Sequence, residues 1–147
     1  MKKMTLATLR NKISRFVFVS NSILYVLVFV FYAMSGFDED ELLTLIALLT
    51  PLTAIYLGSM IKFVVENRFR IENTEHAVKV SKSYISVTTA IIYSHFIILI
   101  LAISAKALFN FISFNDLKIV FTAVEGLFGT YSGLISTSLF KADDANQ

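Results

Sequence analysis

The chain has no cysteine, a single proline, five glycines and only 16% charged residues. Without cysteine there can be no disulfide framework, no thiol nucleophile and no cysteine metal cage. The common enzymatic signatures are missing too: HExxH, the P-loop, GxSxG, and paired carboxylates beside a histidine on one polar face. The sequence therefore predicts no catalytic residue, no metal ligand set and no bound cofactor. Its basic residues lie on the flanks of apolar runs without interleaved aromatics, which points to lipid or protein contact and away from direct nucleic-acid binding.

What fills the chain is hydrophobic sequence, 56% of it, well outside the soluble globular norm. Four stretches, 16–37, 42–61, 83–105 and 119–140, carry no acidic or basic side chain apart from one glutamate and one histidine. Each has about 20 residues, enough to cross a hydrocarbon core of about 30 Å. A soluble helical bundle would need polar faces, and residues 25–32, Tyr-Val-Leu-Val-Phe-Val-Phe-Tyr, have none. The expected fold is all-α: a four-helix transmembrane bundle of two hairpins, forming a single membrane domain over residues 1–147. The apolar run behind the basic amino terminus exceeds the roughly 7–15 residues of a signal h-region, so it reads as a retained first span.

Lys2, Lys3, Arg10, Lys12 and Arg15 precede the first span. Lys62, Arg68, Arg70, Lys79 and Lys82 lie between the second and third, Lys141 follows the fourth, and only Lys106 and Lys118 fall on the opposite side. The positive-inside rule then places both termini in the cytoplasm. Along residues 1–15 and into Phe16, Leu6, Leu9, Ile13 and Phe16 recur at helical spacing among the cations, a basic amphipathic flank suited to anionic headgroups. Residues 62–82 contain no glycine or proline and keep apolar residues among the charges. They predict a helical arm projecting into the cytoplasm, with a turn near 72–74 and Thr74 as an N-cap. That arm is the largest polar surface, and Arg68, Arg70 and Lys79 are its candidates for docking a protein partner.

The two halves look related. A shift of 75 positions lays Glu41-Leu42 over Asp116-Leu117 and Ala54-Ile-Tyr56-Leu-Gly58 over Gly129-Thr-Tyr131-Ser-Gly133, a parallel repeat of two hairpins. Gly126, Gly129 and Gly133 give the fourth span a face of small residues, and Ala54 with Gly58 makes a weaker copy in the second. Such faces let helix backbones approach closely, within one chain or between copies of it. Ser20, Asn21 and Ser22 fall at the depth of Tyr56 and Ser59, a candidate interhelical hydrogen-bond cluster. Pro51 removes a backbone hydrogen bond in the middle of the second span and predicts a kink.

Two ionisable residues fall inside the spans, His95 in the third and Glu125 in the fourth. Burying either in hydrocarbon costs several kcal/mol, which marks both as functional candidates. Counting residues at about 1.5 Å each puts them at similar depth, where a carboxylate and an imidazole can pass a proton, bind a cation or switch with pH. The alternative is structural, with His95 bonded to a backbone carbonyl and Glu125 neutral or capped by Ser94, Tyr93 or a neighbouring hydroxyl.

In size, basic flank, four spans and cytoplasmic arm, the chain resembles the membrane subunit of the bacterial two-gene Kiwa anti-phage defence system. The resemblance implies a non-enzymatic homo-oligomer, a tetramer, in the bacterial inner membrane, which detects infection and recruits a cytoplasmic effector. An alternative is a small ion channel or proton-coupled transporter using Glu125 and His95. Small multidrug exporters also have four spans, but their membrane glutamate lies in the first, which here contains no acid. A toxin-immunity protein is a further alternative, because it needs only a bilayer-embedded surface.

Overall fold

The structure is a computed structural model that describes residues 6–66 and 80–140. They form four α-helices, with no strand among the described residues: α1 Leu6–Ala33, α2 Glu39–Glu66, α3 Lys82–Ala107 and α4 Phe114–Phe140. The turn expected at 72–74, Thr74, and the docking candidates Arg68, Arg70 and Lys79 lie outside the described residues.

Each helix forms because its sequence is apolar with few breakers, and each ends where local chemistry stops it. α1 closes in a Schellman turn: Ser35 takes the left-handed conformation (φ 62°), its N–H donates to Tyr32 O at 2.9 Å, and the Gly36 N–H donates to Phe31 O at 2.8 Å. α2 opens two residues later with a capping box. The Glu41 N–H donates to Asp38 Oδ1 at 2.8 Å, and the Asp38 N–H donates to Glu41 Oε2 at 3.2 Å. The second hairpin repeats the device. Asn110 is left-handed (φ 50°), the Asp116 N–H donates to Ser113 Oγ at 3.1 Å, and the Ser113 N–H donates to Asp116 Oδ2 at 3.2 Å. Residues 35 and 110, 38 and 113, and 41 and 116 are all 75 apart, as are the first residues of α2 and α4, 39 and 114. The sequence repeat is thus a repeat of the capping box and of one left-handed residue, while the closing bonds differ: in the second corner the Asn110 N–H donates to Lys106 O and the Phe111 N–H to Ala105 O.

The helices form a ring in the order α1, α2, α4, α3, each touching the next. Within a hairpin neighbours are antiparallel; between hairpins the equivalent helices lie side by side in the same direction. Buried positions on α1 step by four or three (Leu9, Ile13, Val17, Ser20, Leu24, Val28, Phe31), the seam of left-handed, knobs-into-holes packing. α3 continues it with Thr88, Ile92, His95, Leu99 and Ile103. At the end carrying the short corners, Gly36 lies so close to α3 that an added Cβ would stand 2.9 Å from Ala107 O.

Large apolar side chains also cover the outside, among them Phe18, Val26, Ile97, Leu101 and Leu127. Among the described residues, Asn11–Ala33 and Lys82–Ala107 are long and apolar enough to cross a membrane. α1 runs unbroken from Leu6, so the described part of the basic flank, 6–15, and the apolar run behind it form one helix. It stops at Ala33, short of residue 37, because Ser35 turns left-handed. α2 likewise runs through Pro51, which lies on the outward side.

Candidate functional site

Halfway along the ring, each helix contributes one polar residue to the same level: Asn21 from α1, Thr53 from α2, His95 from α3 and Glu125 from α4. With Val17, Phe96 and Phe128 they wall a cavity of about 10 Å³, one water in size. His95 Nε2 and Glu125 Oε1 lie 3.7 Å apart, and the two side chains are only 5% and 14% exposed. That separation is within ion-pair reach if the imidazole is protonated, and too long for a direct hydrogen bond. The imidazole is held in place by stacking on Phe128 (centroids 3.9 Å apart, planes at 19°) and by the edge contact with Phe96 at 5.0 Å.

The Asn21 amide donates to Val17 O at 3.1 Å. The Thr53 hydroxyl has one proton and two acceptors in range, Asn21 Oδ1 at 3.0 Å and Leu49 O at 2.8 Å. This half of the layer is therefore satisfied within the protein. The other half is not: His95 Nδ1 and Glu125 Oε2 are buried without a protein hydrogen-bond partner. Buried polar atoms are nearly always paired, so two orphans on neighbouring titratable groups beside a water-sized cavity make this pair the candidate site.

The repeat shows what the fold itself requires at these positions. Stepping back 75 residues from His95 and Glu125 leads to Ser20 and Thr50 in the first hairpin. Ser20 is buried like His95, and Thr50 shares a 3.3 Å hydrogen bond with Tyr25 and donates to Ile46 O at 2.7 Å. Equivalent positions are thus filled by small hydroxyl side chains, and the architecture does not call for an imidazole or a carboxylate there.

The structure brings His95 and Glu125 together, and neither suggested cap takes the carboxylate. Ser94 donates to Ile91 O, while Tyr93 packs edge-on against Phe16. Asn21 bonds Thr53, one turn before Tyr56 on α2; the side chains of Tyr56 and Ser59 are not described, and Ser22 donates to Phe18 O in its own helix. Thr53 escaped the sequence reading because threonine in an apolar helix looks like filler; its spacing of three from Tyr56 was the available signal. Among the small residues, Gly58 and Gly126 face open space with nothing within 4 Å of an added Cβ, and Ala54 is exposed. Gly129 is half-buried, and the surroundings of Gly133 are not described. Close approach inside the chain occurs instead at Gly36 against Ala107. Sequence reading also missed the pair joining the two corners, Lys106 Nζ to Glu41 Oε1 at 3.7 Å. Among the described residues, no three His, Cys, Asp or Glu side chains gather as a metal set would require. Comparison with known protein families, with curated proteins and with solved structures finds no match for this chain.

Proposed function

We propose that the chain is a four-span, non-enzymatic, homo-oligomeric subunit of the bacterial inner membrane that senses a membrane event, phage infection by the resemblance noted above, and docks a cytoplasmic effector. The observation that carries this reading is the His95–Glu125 contact inside a layer to which all four helices contribute. The polar layer couples the hairpins through groups whose interaction changes sign and strength with a single proton or a small shift in packing, the property of a two-state element. Its cavity is one water in size and walled by Val17, Phe96 and Phe128, which favours a latch over a path for ions. The exposed apolar surface supports four spans and a bilayer environment.

A second reading, a proton-coupled transporter or small channel, is favoured by the two unpartnered atoms of the same pair. Reconstituted vesicles separate the two. For a sensor, native protein adds no proton or cation flux over empty vesicles, whereas Glu125→Gln abolishes the cellular response. A flux that disappears in Glu125→Gln establishes transport and removes the sensor reading. Docking is tested separately, by recovery of the cytoplasmic partner after charge reversal at Arg68, Arg70 and Lys79. Unchanged recovery and activity would sink it.

A further inference from the structure

Away from the polar layer, the inner ends of α1 and α3 part to leave a narrow crevice of about 30 Å³. Its floor is Leu9, Ile13 and Ile92, all buried, and it closes where Phe16 meets Tyr93 edge-on at 4.3 Å. From Leu9 to Phe16 it runs about 10 Å along the helix, at 1.5 Å per residue. Lys12 stands at the rim, exposed. Neither α1 nor α3 contains an aspartate or glutamate, while Arg15 and Lys82 add positive charge at the same end. A narrow slot lined mainly by apolar side chains, with Thr89 and Tyr93 the polar exceptions and the Lys12 ammonium at its rim, is complementary to an acyl chain whose end carries a negatively charged phosphate.

We propose that this crevice seats the upper part of an acyl chain of an anionic phospholipid, whose phosphate contacts the Lys12 ammonium. The proposal rests on the membrane reading above. An occupant there would wedge α1 and α3 at the end opposite the Gly36–Ala107 contact, so that lipid identity reaches the polar layer through helices that both contribute to it.

The chain has no tryptophan, so a single introduced one is a clean reporter. Full-length Tyr93→Trp protein is placed in phosphatidylcholine nanodiscs holding matched fractions of brominated phosphatidylglycerol or brominated phosphatidylcholine, and quenching is compared. The brominated anionic lipid is expected to quench about fivefold more strongly, the factor one lysine near an anionic surface is worth. Lys12→Gln in the same background removes the difference, and Phe29→Trp, exposed on the far half of α1, shows none. Thr89→Trp, one turn away on the same α3 wall, gives a second reporter if Tyr93→Trp disturbs the Phe16 contact. Equal quenching by both lipids, a difference that survives Lys12→Gln, or the same difference at Phe29→Trp overturns the crevice proposal while leaving the membrane reading intact. Absence of quenching by either lipid at any reporter overturns both.

Discussion

A histidine and a glutamate in an apolar bundle are decided by their neighbours. His95 contributes stacking as well as polarity, so deleting and preserving its shape have different consequences. His95→Ala removes the Phe128 and Phe96 contacts and is expected to cost about 3 kcal/mol, as truncation of a buried ring does. His95→Phe keeps the ring and is expected to fold while losing the response; thermal unfolding in detergent beside a cellular assay tells the two apart. If His95→Phe remains fully active, the pair is packing and nothing more. Gly36 is a sharper case. Its Cβ would lie 2.9 Å from Ala107 O and 3.0 Å from Ala107 Cβ, so Gly36→Ala must push α1 from α3 and is expected to cost about 1–3 kcal/mol. Gly126→Ala, facing open space within α4, is expected to raise the monomer's stability by about 0.5–1 kcal/mol through helix propensity alone. Sequence reading singled out Gly126 with its GxxxG neighbours and passed over Gly36. GxxxG spacing is visible along one helix, whereas which glycine touches another helix depends on how that helix is rotated in the bundle.

Helix ends are set by a handful of hydrogen bonds, and here much was legible. The acids matched by the 75-residue shift, Glu41 and Asp116, prove to be the third residues of two equivalent capping boxes. Ser113→Ala removes one box and is expected to lower stability by about 1 kcal/mol, read as a shift in unfolding midpoint. Asp116 adds a pH dependence. The hydroxyl of Ser113, and then its backbone N–H, hold the Asp116 carboxyl below the ordinary carboxylate range. Its stabilising contribution is therefore present above the unfolded-state pKa and is lost as pH falls through the lower folded-state value. Asp116→Asn should accordingly flatten the acid limb of a stability-against-pH curve, and a curve superimposable on that of the native protein would refute the assignment. The left-handed residues closing α1 and α3 were not legible. Ser35 and Asn110 adopt that conformation because the chain must reverse within a few residues, a demand the corner makes and the residue only tolerates. Ser35→Gly is expected to raise stability by at most about 1 kcal/mol.

At the scale of the whole molecule, the absence of cysteine is an experimental advantage. Asp40→Cys and Ser113→Cys report the two short corners. If all four helices cross, both are labelled by an impermeant maleimide from outside the cell, and Lys3→Cys only after permeabilisation. Labelling of the two corners from opposite sides would exclude the two-hairpin topology. Single cysteines at Gly58 and Gly126, the small residues the monomer leaves facing outward, are expected to crosslink between copies if the chain assembles as proposed. Phe29→Cys should not. Composition and hydrophobic runs alone determined that the described residues are helical, the middle of each of the four helices and which ionisable residues lie inside them, since these follow from local free energies of transfer and of backbone hydrogen bonding. Only the tertiary structure decided that His95 meets Glu125, that Thr53 meets Asn21, and that Lys106 reaches Glu41 across the corners. Those contacts join residues far apart in the chain, and their register is fixed by how four helices pack around one seam, a collective quantity that no single segment encodes.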